Sequence, residues 1–375
     1  MKNILFLCVF SFISSTIFAD EESVFIKSSP EAEGIFGKGL PRDRSLIPSE
    51  SSYPDWKTED FVSINPKRMK DVVIDLSNIA LESRQRTPYW GRLPGTPEDK
   101  KTMQYIENKL LNLGFSIDKK KVFIKKEWRP SDWSMSYKFK GDSYEISSAF
   151  PTGENIKHLD SRIKTELVWV GLGSEADFIG KDIKGKAVVI YSFFVPGGRS
   201  HSASSRANLF FANKLASQKG AALIINIMGV PGNGVFAGGA FHNTSGKPAS
   251  SFEAPIMTMS QDEGFLLRDR MLEEKIFIDF NLTIDVIENL ETQYMFARLD
   301  GMSEEEIFIG AHTDGYFQGA MDNASGIAVG LEIAEYYSKK EKSQRPRSLT
   351  LFFYPDHHHG EYSVREVEDY YDWDN

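Results

Sequence analysis

Six side chains near the C-terminal end of the sequence could bind a metal ion or move protons. His312 and Asp314 lie two residues apart, Asp322 follows in the same glycine-rich stretch, and three histidines, 357–359, come later. Neutral imidazole and carboxylate are ligands that zinc prefers, and a carboxylate can also bridge two ions. From spacing alone, His312 and Asp314 could equally cap and solvate the end of a strand.

The elements around these residues are predicted to bring them to one place. Glu306–Gly310 is typical of a strand that runs into His312, residues 327–340 have helical spacing, and Leu349–Tyr354 is a second strand. A strand, a helix and a strand in this order form a parallel crossover unit. The carboxyl ends of both strands then share the sheet edge at which open α/β sheets bind ligands. We therefore expect His312 and the three histidines to face one crevice.

The rest of the chain contains two capped helices and a β-rich middle. Asn65 and Pro66 begin the first helix, and Thr96 is expected to cap the second. From about residue 120 to 285, short β-rich runs dominate, so this part is predicted to be a separate module. Residues 20–65 are rich in Ser, Pro, Gly and charge, which is typical of an extended arm.

The N-terminal segment, the cysteine content and the net charge indicate where the protein is located and which partners it is expected to bind. Residues 1–19 have one lysine followed by an apolar run and a small residue, which predicts a cleaved signal peptide and an exported protein, periplasmic or secreted. The one cysteine, Cys8, lies inside this segment, so the mature chain would have no disulfide. A net charge of −9 gives no indication of a nucleic-acid partner. After signal cleavage no membrane span is expected, and the oligomeric state stays unknown.

Several segments resemble a known family. The stretch IFIGAHTDGYFQGAMDNASG and the stretch GRLPGTPEDKKTMQYIENKLLNLGF are similar to the zinc-dependent exopeptidases, which include bacterial leucyl aminopeptidases and glutamate carboxypeptidase. KDIKGKAVVIY, KLASQKGAALIIN and EAPIMTMSQDEGFLL resemble the protease-associated domain that is often inserted in these enzymes. The resemblance implies an α/β fold with a partly parallel sheet flanked by helices, incomplete at the C-terminus. It divides the chain into a signal peptide (1–19), an arm (20–65), a first peptidase segment (66–150), a protease-associated domain (151–285) and a truncated second peptidase segment (286–375).

The resemblance also implies roles for single residues. His312 would bind one zinc ion, Asp322 would bridge two, and Asp314 would support His312. The family then has a Glu-Glu pair, which in the register E-E-x-G falls on His357 and His358, and one residue later on His358 and His359. Asp356 and Glu361 are the nearest carboxylates that could act as general base. The prediction is one or two zinc ions, with these site residues: metal ligands His312, Asp322, His357 and His358, and catalytic residues Asp314 and Glu361.

The last residues of the chain depart further from the family. The ending EYSVREVEDYYDWDN shows no strand or helix pattern and does not supply the family's two remaining ligands. We therefore expect the two strands around residues 306–354 to expose an apolar edge and faces. The predicted function is an exported metallopeptidase that hydrolyses peptides or small amides as an aminopeptidase, through a zinc-bound hydroxide. The alternatives are a catalytically inactive binding or scaffold protein on the same fold, and a truncated product without function.

Overall fold

A computed structural model describes residues 5–8, 63–151, 160–192, 201–229 and 253–371. All but the last three residues of the predicted arm and most of the predicted signal peptide lie outside these ranges. In the described part of the chain, no helix is both long enough and apolar enough to cross a membrane.

Two helices begin where the sequence predicts their caps. The Asn65 side chain accepts a hydrogen bond from the backbone N–H of Lys67, and Thr96 accepts one from Asp99, so both predicted N-caps are confirmed. The described helices are α1 (Pro66–Ser83), α2 (Pro97–Asn112), α3 (Glu175–Phe178), α4 (His201–Gln218), α5 (Gln261–Glu273), α6 (Ser325–Ser338) and α7 (Tyr362–Tyr371).

The strands form one large mixed sheet and one small ribbon. The large sheet has the order β1-β11-β13-β10-β6-β7-β8-β9-β5, with β3 and β4 attached beside β10, and β2 pairs with β12 in the ribbon. The strands are β1 (Leu5–Cys8), β2 (Gly91–Arg92), β3 (Ser116–Phe139), β4 (Asp142–Glu145), β5 (Phe150–Pro151), β6 (Asp160–Trp169), β7 (Ala187–Tyr191), β8 (Leu223–Ile227), β9 (Ile256–Met259), β10 (Phe277–Leu299), β11 (Glu306–His312), β12 (Gly315–Tyr316) and β13 (Ser348–Tyr354).

The predicted crossover unit is present. β11, α6 and β13 follow one another, and β11 pairs with β13 in parallel from Glu306–Ser348 to His312–Tyr354. Helices α1, α2 and α6 pack on one face of these strands around a core that includes Leu76, Ile106 and Phe353. The sheet is therefore mixed and flanked by helices, as the sequence predicts.

A long antiparallel ribbon links two parts of the sheet. β3 and β10 pair along most of their length, with one register shift between Thr283 and Ile284. One end of the ribbon borders the core under α1 and α2, and the other end borders a second core around Leu223 and Met257. Because Met135, Tyr137 and Phe139 of β3 belong to this second core, its residues begin before position 151. The predicted domain boundaries stay a prediction.

Two expectations about the C-terminal part are wrong. The ending forms α7, whose Val367 packs against Val122, Phe308 and Phe352 on the sheet face opposite α1. The apolar pattern of α7 is too short to stand out in sequence, and the sheet surface beneath supplies its stabilisation. In the described residues the expected open edge of β11 is also covered, because β1, which lies inside the predicted signal peptide, pairs with it in parallel from Leu5–Ile307 to Cys8–Gly310.

Candidate metal centre

The site lies at the carboxyl ends of β11 and β13. The backbone N–H of Thr313 donates to the carbonyl of Tyr354 at 2.7 Å, which fixes the ends of the two strands side by side. A single 3₁₀ turn, His357–His359, follows β13 and ends at Gly360, whose φ of 104° suits glycine. The structure therefore brings His312 and the three histidines to one sheet edge.

Asp314 is the anchor of this edge. Its Oδ1 lies 3.1 Å from Nδ1 of His312 and accepts from the backbone N–H of His357 at 3.3 Å, while its Oδ2 accepts from the N–H of His358 at 2.9 Å. Burial raises the pKa of Asp314, but the hydrogen bond and charge of His312 outweigh this and hold it well below its usual range. A buried carboxylate with these donors orients the neighbouring groups and is poorly suited to accept a proton.

Three of the predicted ligands converge. Nε2 of His312 lies 2.9 Å from Oδ1 of Asp322, and Nε2 of His358 lies 3.6 Å from Oδ2. One ligand atom from each of the three residues lies within 4.8 Å of the others. His312 is buried, whereas the Asp322 side chain is 59% exposed, so the group opens to solvent on the carboxylate side. Because Asp314 engages Nδ1 of His312, Nε2 is the nitrogen available to a metal ion.

Without a metal ion, the carboxylates hold a proton on His312. Burial lowers the pKa of His312, but hydrogen bonds to Asp314 and Asp322 outweigh it and raise the pKa to about 9. Burial lowers the pKa of His358 below its usual value. Since a metal ion binds the neutral imidazole, binding would displace the proton of His312.

His357 lies beside this group and not in it. Its ring centroid is 4.3 Å from that of His312, and its Nδ1 lies 2.8 Å from Oε1 of Glu361. The hydrogen bond from His357 holds the pKa of Glu361 below its usual value. The side chains of His357 and Glu361 are 28% and 26% exposed, so both can reach solvent. The sequence predicts His357 as a ligand, and the geometry pairs it with the predicted catalytic Glu361.

His359 points to a partner that the sequence does not indicate. Its Nδ1 lies 2.8 Å from Oε2 of Glu127, and both side chains are buried. Glu127 sits in the middle of β3, 232 residues away, directly after Lys125 and Lys126. No local pattern marks that glutamate as buried, so only the tertiary structure identifies it.

Asp356 is the other carboxylate considered as a base. It is fully buried, and its Oδ2 accepts from the backbone N–H of Ser363 at 2.9 Å. Burial raises the pKa of Asp356 to about 6. Glu361 is the more accessible of the two.

One family of known proteins matches the part of the sequence that contains these residues. The profile of Peptidase family M28 matches residues 295–356, a segment that contains His312, Asp314 and Asp322 and ends just before His357. No curated protein matches the sequence.

Solved structures of peptidases share the fold. An aminopeptidase from Aneurinibacillus sp. strain AM-1 superposes with a TM-score of 0.51 at 23% identity, over 82% of this chain and 66% of that one. A peptidase M28 precursor from Shewanella amazonensis SB2B gives 0.62 at 17% identity, over 84% and 70%. A zinc aminopeptidase from Bacillus subtilis gives 0.51 at 18% identity, over 77% and 61%. This chain therefore spans about two thirds of the length of these proteins. The resemblance to zinc-dependent exopeptidases is confirmed, whereas the inserted protease-associated domain is not.

Proposed function

From the M28 segment and the fold shared with zinc aminopeptidases, we propose that this protein is a zinc-dependent hydrolase of the aminopeptidase type, acting on peptides or small amides. The observation that carries the proposal is the convergence of His312, Asp322 and His358 within 4.8 Å at the edge of the sheet.

The donor set fits zinc. Two imidazoles and one carboxylate are the protein ligands of several catalytic zinc sites, which leave a further position open. The exposed side of Asp322 provides this opening. When bound, zinc polarises a carbonyl oxygen and makes water more acidic. Among the described residues, one group of three ligands is present, so the proposal is for one ion.

His357 and Glu361 would handle the proton. With Nδ1–H of His357 donating to Glu361, Nε2 is left with its lone pair and can accept a proton from the attacking water. Glu361 then stabilises the imidazolium by its charge. The same imidazolium can return the proton to the leaving amine. His357 occupies the position of the first glutamate in the E-E-x-G register, so the dyad would replace that base.

Asp314 would keep the site in place. It holds His312 through Nδ1 and the two following histidines through their backbone N–H groups. One carboxylate thereby ties the end of β11 to the turn after β13. This agrees with the role of a supporting residue that its spacing from His312 indicates.

Zinc binding and cleavage test the proposal together. The chain beginning at Asp20 would be loaded with zinc and assayed on a panel of aminoacyl 4-nitroanilides, beside H312A, D322A and H358A. We expect one zinc per chain and cleavage of at least one substrate, with both lost in the three variants. The control E335A removes a surface ion pair with Lys339 and should behave as the parent. Zinc binding without any cleavage would favour a binding protein on the same fold, and no zinc in a folded chain would overturn the proposal.

The proposal includes export. The lysine and apolar run of residues 1–19 support removal of a leader after Ala19. The enzyme would then act on substrates outside the cytoplasm.

A further inference from the structure

We propose that Arg92 is a positioning residue for the metal centre, because its guanidinium holds the backbone that joins His312 to Asp322. The inference rests on the metal-binding part of the proposed function and assigns a role to a residue that touches neither substrate nor reacting atoms.

Within the described part of the chain, the hydrogen bonds of the Arg92 side chain all go to backbone carbonyls. Its Nε donates to Thr313 at 3.1 Å, its Nη1 to Gln318 at 2.8 Å, and its Nη2 to Gly319 at 3.0 Å. Nη1 also donates to Leu76 of α1 at 3.3 Å. One side chain therefore holds both ends of the loop between the two ligands and ties that loop to a helix of the core.

The loop is wrapped closely around the guanidinium. A Cβ atom on Gly319 would lie 2.8 Å from Nη2, and one on Gly315 would lie 3.0 Å from it. The added Cβ atom would also lie 3.0 Å from the carbonyl oxygen of Asp322 at Gly319, and 2.8 Å from it at Gly315. The small ribbon of β2 and β12 adds backbone pairing between Arg92 and Gly315. The backbone of the loop that leads to Asp322 therefore packs directly against the guanidinium of Arg92.

Arg92 is unusual in being buried without a carboxylate hydrogen-bond partner among the described residues. Its side chain is 1% exposed. Burial lowers the pKa of Arg92 to about 10, although Asp314 and Asp322 oppose this, so the group stays charged at neutral pH. Retaining a buried charge is costly, and the compensation here comes from carbonyl groups of the ligand-bearing loop. The fork of an arginine can reach several carbonyls at once, whereas a lysine cannot hold the same set.

The test measures metal affinity and coordination in R92K. We expect zinc to bind about tenfold to a hundredfold more weakly, as when supporting partners of metal ligands are removed. Bound Co²⁺ should show an altered visible spectrum, which a purely stabilising residue would not change. Amide hydrogen exchange in residues 313–322 should become faster, and this readout applies whether or not the parent chain binds metal.

R68K is the matched control. Arg68 joins α1 to Glu332 of α6 and donates to the carbonyl of Ser63, and among the described residues it makes no hydrogen bond to the loop. We expect R68K to lower thermal stability while zinc affinity, the Co²⁺ spectrum and exchange of the loop stay as in the parent. Equal effects in R68K and R92K would show that stability alone is responsible and would overturn the inference.

A second variant covers failure of R92K to fold. G319A places a methyl group against Nη2 while leaving the arginine in the chain. Weaker zinc binding with faster loop exchange supports the inference. A folded R92K or G319A with the parent's exchange rates in 313–322 and the parent's zinc affinity overturns it. If the parent itself binds no zinc, the proposed function fails, and the exchange rates alone decide the role of Arg92.

Discussion

At the scale of single residues, three consecutive histidines have three different partners. His357 pairs with Glu361, His358 approaches Asp322, and His359 pairs with Glu127. A 3₁₀ turn has three residues per turn, so neighbouring side chains point roughly 120° apart. The turn therefore separates the proposed proton-handling residue, a proposed metal ligand and a buried residue paired with Glu127 within one short segment.

The variant H357A distinguishes a base from a ligand. Since His357 lies outside the group of three candidate ligands, we expect zinc content to be unchanged while kcat falls by about 10²–10⁴. E361Q should give a smaller loss, because the amide can still hold Nδ1 but lacks the charge that stabilises the imidazolium. Zinc content and steady-state kinetics measure both effects. Loss of zinc in H357A would instead show that it is a ligand, as the sequence predicts.

At the scale of elements, helix ends connect distant parts of the fold. Asp99, in the first turn of α2, accepts through Oδ2 from the backbone N–H of Gly95 and from the hydroxyl of Thr292 on β10. Arg68, in the first turn of α1, forms an ion pair with Glu332 in the middle of α6. These contacts fix the helices on the sheet that carries the ligands.

The buried carboxyl group of Asp99 should make the free energy of unfolding depend on pH. Burial raises its pKa to about 6, so the folded state binds the proton more tightly than the unfolded state. The contribution of protonated Asp99 to the free energy of unfolding is fully present below the pKa that Asp99 has in the unfolded state. It is lost as the pH rises through about 6. This loss lowers the free energy of unfolding by roughly 3 kcal/mol. Asn in its place keeps one oxygen for both donors and cannot ionise. In urea unfolding, D99N should therefore exceed the parent in stability at pH 8 and approach it at pH 4.5.

The exposed Asp118 provides the control for D99N. D118N changes the same chemical group on the surface, where Asp118 lies 3.9 Å from Lys120 and is 65% exposed, and should leave the pH dependence of unfolding as in the parent. A D99N chain less stable than the parent at pH 8 would contradict the prediction.

At the scale of the whole molecule, β1 links the fold to the proposed export. Leu5–Cys8 lies within the predicted leader and covers the outer edge of β11. If the leader is removed, β11 loses this strand, and a bare edge can pair with another chain. The chain beginning at Asp20 should then associate with increasing concentration in sedimentation, more than a chain that retains residues 1–19. A concentration-independent monomer would contradict this.

Local signals in the sequence determined the two capped helices, the crossover unit and the residues His312, Asp314 and Asp322. Caps and apolar spacing act between near neighbours, and parallel strands bring their carboxyl ends together whatever surrounds them. The order β11, α6, β13 was therefore predictable, with boundaries shifted by only a few residues.

Only the tertiary structure decided how the histidines divide their roles and how the tail folds. Three identical side chains carry no local difference, and their partners come from β3, from the loop after β12 and from the residue after Gly360. Arg92 and Glu127 are ordinary charged residues in sequence, and both are buried against partners more than 200 residues away, Thr313 for Arg92 and His359 for Glu127. The helix α7 likewise depends on the apolar sheet face formed by Val122, Phe308 and Phe352. Contacts between residues far apart in the chain set these features, and such contacts leave no periodic pattern in the sequence.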